Sequence, residues 1–166
     1  HPNGLGTAFC FKEDTDSYYL MTAGHCCQAT EVAINLFHGQ KAVQVPAEII
    51  EKAFMGPLEI NVDAAILKVK KTSFGEYPKL KVIPLINNEE AQNVTSIIWT
   101  YGSAKGGYPT AYKGYITGVN NEEIYFLPTA LVGRSGSPLL NKDCTKVIGM
   151  IVRWQPEDMS LPQEEW

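Results

Sequence analysis

The stretch YYLMTAGHCC, residues 18–27, carries an apolar run straight into a histidine flanked by a glycine and a cysteine. A short apolar run between the polar turn EDTDS and Ala-Gly reads as a β-strand, not a helix. His25 therefore stands just past a strand end, as a packing residue, a metal ligand or a base. The base reading requires two partners elsewhere in the chain: a nucleophile to deprotonate and a carboxylate to hold the ring.

The remainder of the chain repeats this pattern of short β-prone runs and turns, with hardly any helical periodicity. The pattern predicts strands at Gly6–Phe11, Tyr18–Thr22, Glu31–Phe37, Lys41–Ile50 and Ala64–Val69. After KKTSFGEYPK a second series follows: Lys81–Leu85, Thr95–Tyr101, Thr110–Thr117, Glu122–Leu127, Pro138–Asn141 and Lys146–Arg153. ITGVNNEEIYFL is a hairpin signal, with Asn120-Asn121 between two alternating runs. Many short strands at this spacing mean a sandwich or barrels. The break near 71–80 favours an all-β chain of two packed antiparallel barrels, with lobes at 1–75 and 76–154 and a polar, proline-broken tail at 155–166.

Composition narrows the function classes. With 45% apolar residues in 166, the chain has enough material for a real core. A net charge of −4 removes the electrostatic footprint of a nucleic-acid binder, and no apolar run approaches the roughly 20 residues of a membrane-crossing helix. His1 is not an initiator methionine, so a processed chain is expected. Of the four cysteines, Cys26 and Cys27 are too close in sequence to pair without strain. Cys10 and Cys26 bracket a strand–turn–strand segment, which would let their backbones approach; a bridge there implies an oxidising compartment. Zinc is the rival reading, but CxxC spacing is missing, so neither a metal nor any other cofactor is expected. The sequon Asn93-Val94-Thr95 points the same secretory way.

The nucleophile candidate is Ser135 in LVGRSGSPLL, between Gly133 and Gly136. Glycines there let a turn bring backbone N–H groups, those of Gly133 and Ser135, close to a substrate carbonyl. The alternative is an ordinary Gly-Ser turn. The carboxylate candidate is Asp63 in NVDAAILKV, directly before an apolar strand, where it would accept a hydrogen bond from the imidazole and fix its tautomer. A solvated strand-end aspartate is the competing reading, and Asp14 and Asp16, in a polar turn, are weaker choices. His38 reads as a solvent-facing turn residue, and Trp99 and Trp154 as core or wall residues.

TAGHC, DAAIL and GRSGSP together resemble the three catalytic motifs of the chymotrypsin-like serine proteases. That resemblance implies two six-stranded barrels, a triad of His25, Asp63 and Ser135, and an oxyanion hole at Gly133 and Ser135. It also implies a histidine-loop disulfide between Cys10 and Cys26, fifteen residues and one residue from His25 respectively. Thr129 and Ala130 would sit at the base and side of the primary pocket, with Ile151, Val152 and Arg153 on its edge strand. With no acid at that base, cleavage after Lys or Arg is not implied; Arg153 would attract an acidic side chain or stand solvated at the rim.

The departures carry information too. Arg134 stands where trypsin and chymotrypsin have an aspartate that pairs with a freed amino terminus, so that activation switch is not expected. GxSGSP is similar to glutamyl endopeptidases and viral polyprotein proteases. Only nine residues precede Cys10, so the first barrel is expected to lack its amino-terminal strand, with another segment or chain filling the edge or the polar tail covering it. The terminal EEW is similar to capsid proteases of alphaviruses that hold a terminal tryptophan in their own pocket, which would bring Trp166 to Ser135. The expected activity is that of a serine endopeptidase on polypeptide substrate, either secreted or excised from a viral polyprotein; the alternative is a catalytically silent homologue that binds protein.

Overall fold

The computed structural model describes residues 5–38, 41–54, 63–75, 79–87, 93–103, 107–120, 123–130 and 133–152. Ten strands run through them: β1 (Phe9–Glu13), β2 (Ser17–Thr22), β3 (Val32–His38), β4 (Lys41–Phe54), β5 (Asp63–Lys70), β6 (Ile97–Gly102), β7 (Thr110–Val119), β8 (Ile124–Leu127), β9 (Pro138–Leu140) and β10 (Val147–Met150). They form two five-stranded antiparallel sheets, ordered β1-β2-β5-β4-β3 and β10-β9-β6-β7-β8. The expected all-β, double-barrel architecture of a trypsin-like chain is therefore present, with five strands per lobe among the described residues.

Alternation explains the first sheet. In β5 the side chains of Ala65, Leu67 and Val69 are buried while their neighbours are not, which is the period of a strand with one face on a core. Tyr18, Leu20 and Thr22 of β2 face the same way, and Tyr18 meets Phe74 edge-to-face at 5.2 Å. Cys10, Cys27 and Val45 complete this core. β4 serves two neighbours. Its first half pairs with β3 and its second with β5, with a register shift between Ile49 and Glu51 that bends the strand between them.

The second core gathers Ile98, Ile116, Leu139, Ile148 and Ile151. A third cluster joins the sheets: Phe9 from β1 packs with Leu140 of β9, Val147 of β10 and Ile83. Ile83 lies in the segment expected as the strand Lys81–Leu85. That segment makes only a parallel bridge, Leu85 to Val147, although Ile83 N–H also donates to the Cys10 carbonyl at 3.0 Å. Pro84 is the cause: it has no N–H to continue a ladder, while its carbonyl accepts from Val147 at 2.9 Å.

The expected Cys10–Cys26 disulfide is not formed; both are free thiols, as are Cys27 and Cys144. Hairpin register is the reason. β1 and β2 place Cys10 opposite Leu20, six residues short of Cys26, so the residues facing Cys26 are Leu5 and Gly6. Cys10 turns instead into the first core, where burial raises its thiol pKa. Burial likewise pushes Cys27 up to about 11, holding it as a neutral core thiol. The tail 155–166, with Trp166, and His1, Arg153 and Trp154 lie outside the described residues, as does the His38 side chain.

Truncating Leu67, which is 1% exposed at the centre of β5, should remove about 2–5 kcal/mol of stability. Urea unfolding of Leu67→Ala checks this, with a lowered midpoint and an unchanged slope expected.

Candidate active site

His25 lies in a single 3₁₀ turn, Gly24–Cys26, that follows β2 directly. Asp63 is the first residue of β5. Because Thr22 is paired with Ala65 in the ladder, extending the register by two residues brings Asp63 beneath the turn. Its carboxylate then takes two hydrogen bonds: the His25 main-chain N–H donates to Oδ1 at 2.9 Å, and ring Nδ1 lies 2.6 Å from Oδ2. A carboxylate only accepts, so Nδ1 carries the proton of this bond. The Asp63 side chain is 8% exposed and the His25 side chain 23%, so water weakens the pair little.

The Asp63 hydrogen bond is the largest influence on the ring, and hydrogen bonding to the Cys26 sulfur comes second. Together they outweigh burial and raise His25 from its usual 6.5 to about 9. Cys26 Sγ also lies 4.0 Å from the Ser135 carbonyl oxygen, so one sulfur touches both the histidine and the serine turn.

Ser135 itself is partly exposed, on a turn between two glycines with φ of +93° at Gly133 and +89° at Gly136. The turn is held from the first lobe by Thr7. Its N–H donates to the Ser135 carbonyl at 2.8 Å, its hydroxyl to the Gly133 carbonyl at 3.3 Å, and its own carbonyl accepts from the Thr22 hydroxyl at 2.6 Å. On the other side Gly136 N–H reaches the Ile151 carbonyl at 2.6 Å, and Ile151 N–H reaches Ser137 at 2.9 Å. A methyl group at Gly136 would overlap the Thr7 carbonyl and the Thr22 hydroxyl, so the glycine is required by space as well as by φ. Residues 25 and 63 are thus joined directly, and the turn that carries Ser135 adjoins them through Cys26. Thr7 is the part of the site that sequence reasoning missed; threonine in a polar-looking lead-in to a strand carries no signal of such a role.

Four of the five expected pocket residues, Thr129, Ala130, Ile151 and Val152, line one cavity of about 400 Å³ between the edge strands β8 and β10; Arg153 lies outside the described residues. Its other walls include Phe126, Leu139 and Ile148. Arg134, between Gly133 and the serine, turns away from the surface. It is 4% exposed, donates from Nη2 to the Thr110 hydroxyl at 2.5 Å and lies 4.8 Å over the Tyr112 ring.

Residues 6–150 match the family model described as a trypsin-like peptidase domain. No curated protein matches the sequence. Among solved structures, the chain is similar to the Mycobacterium tuberculosis protease Rv3671c in its inactive form, with 20% identity, 93% of this chain and 74% of that one covered, and a TM-score of 0.64. A serine-to-alanine mutant of the same protein, also in its inactive form, gives 21% identity, coverage of 89% and 68%, and a TM-score of 0.60. A serine endoprotease from Yersinia pestis is similar over 87% of this chain and 47% of its own, at 19% identity and a TM-score of 0.63. At these identities the structures speak for the fold.

The histidine holds its proton more tightly folded, at about 9, than the roughly 6.5 of an unfolded chain. Its pairing therefore stabilises fully below about pH 6.5 and is lost as pH rises through about 9. Thermal melts should show a gap between wild type and Asp63→Asn that is widest below pH 6.5 and closes towards pH 9. A gap independent of pH would contradict the assignment.

Proposed function

Because this chain belongs to the trypsin-like peptidase domain family, we propose that it is a serine endopeptidase working through an acyl-enzyme. The observation that carries this reading is the 2.6 Å contact of His25 Nδ1 with Asp63 Oδ2, on a ring set beside a clasped Ser135 turn.

Neutral His25 takes the Ser135 proton as the hydroxyl oxygen attacks the scissile carbonyl carbon. The imidazolium so formed is stabilised by the Asp63 carboxylate, which stays ionised. Negative charge gathers on the carbonyl oxygen, and the N–H groups of Gly133 and Ser135 receive it, each such donor typically worth about 10²–10³ in rate. The imidazolium passes its proton to the leaving amine, the C–N bond breaks, and water repeats the sequence on the ester. The residue preceding the scissile bond places its side chain towards Thr129, Ala130, Ile151 and Val152.

A base raised to about 9 is mostly protonated at neutral pH, so the active form accumulates on the alkaline side. The value of kcat/KM should climb with pH and level off near 9. In Asp63→Asn the limb should move towards about 6.5 while kcat falls by roughly 10⁴.

Replacement of Ser135 by alanine should lower kcat by about 10⁶ without changing the melting curve. Fluorophosphonate labelling distinguishes this from a silent binding module: rapid modification of wild type and none of Ser135→Ala is expected. A wild-type chain that folds yet resists the reagent would overturn the proposal.

A further inference from the structure

Beneath the serine turn is a patch of buried polar groups for which the proteolytic reading has no use. Among the described residues, the buried side-chain atoms left without a hydrogen-bond partner are Thr100 Oγ1, Ser137 Oγ, and Nε and Nη1 of Arg134. They belong to one region. Thr100 is paired with Tyr112 across β6 and β7, and the Arg134 guanidinium lies on the Tyr112 ring. Gly102, on the same face of β6 as Thr100, abuts the Ser137 hydroxyl. Thr100 and Ser137 are wholly buried and Arg134 is 4% exposed.

A water molecule could satisfy two hydroxyls. It could not satisfy Arg134, whose guanidinium is costly to bury without an opposite charge. What Arg134 does contact is neutral: one threonine hydroxyl and the face of a tyrosine. The ion pairs among the described residues, His25–Asp63 and Lys71–Glu13, do not involve it.

We propose that Arg134 is the receptor of a carboxylate-binding site behind the Ser135 turn, with Nε and Nη1 as the charged donors and Thr100 and Ser137 as neutral ones. A carboxylate fits better than a phosphate group. It brings a single negative charge to a single buried positive one, whereas a phosphate group at nearly two would leave the patch net negative. It also offers the two coplanar oxygens that a guanidinium fork addresses. Two sources share this chemistry: a free carboxylate in solution, or an acidic side chain of this protein, of which Glu157, Asp158, Glu164 and Glu165 follow β10 in sequence. The site stands whether or not Ser135 is a nucleophile.

The test follows the arginine Nε–H resonance of the full chain by NMR, together with its melting temperature. Sodium acetate is added against sodium chloride at equal ionic strength. It is applied to wild type and to a variant carrying Glu157→Gln, Asp158→Asn, Glu164→Gln and Glu165→Gln. A free-ligand site predicts that acetate, and not chloride, shifts the Arg134 signal and raises the melting temperature of both proteins saturably. An in-chain source predicts an unresponsive wild type and a destabilised fourfold variant that acetate restores. Arg134→Lys, which keeps the charge but loses the fork, should bind acetate at least about tenfold more weakly. If acetate does no more than chloride in both wild type and the fourfold variant, the proposal is wrong. The two titrations need no change at residue 134, so a misfolded Arg134 variant would not blunt them.

Discussion

One main-chain hydrogen bond, from Thr7 N–H to the Ser135 carbonyl at 2.8 Å, ties the chemistry of the second sheet to that of the first. His25 follows a strand of the first sheet, Asp63 opens another, and Ser135 lies on a turn leading into the second sheet, so nothing local fixes their separation. Thr7 fixes it, aided by its hydroxyl on Gly133 and by Thr22 beneath it. The apolar cluster of Phe9, Ile83, Leu140 and Val147 makes the junction rigid, but hydrophobic contact is non-directional. Orientation comes from the hydrogen bonds. The two glycines at positive φ are what let the turn approach so closely.

The same carboxylate imposes opposing demands on His25. By accepting both the main-chain N–H and Nδ1–H it sets the tautomer a base requires, yet it also favours the charged ring that cannot act as one. Cys26 adds to the second effect from the neighbouring position. Folding strength and the supply of free base therefore respond to one proton in opposite senses.

Much of the architecture was legible in the residues because the strands alternate. Ala65, Leu67 and Val69 announce β5, and Asp63, breaking the apolar pattern at its start, sits where the ladder needs a polar group. The Ser135 turn was legible from its glycines, since few other residues adopt such φ values. Pairing was not. Counting fifteen residues from Cys10 to His25 ignores how many the hairpin turn consumes, and the register of β1 against β2 moved Cys10 into the core. Pro84 likewise removed a ladder that β-prone neighbours suggested. Thr7 and the orphaned donors of Arg134 were out of reach, because both depend on which segment packs behind the turn.

The four unpaired thiols leave the site without a covalent brace. Each half of the site is held by hydrogen bonds and apolar packing, and none by a sulfur–sulfur bond. The arrangement then rests on contacts that a thiol reductant does not cut. Cys10 and Cys27 serve as core packing, while Cys26 lies at the site beside the Ser135 carbonyl.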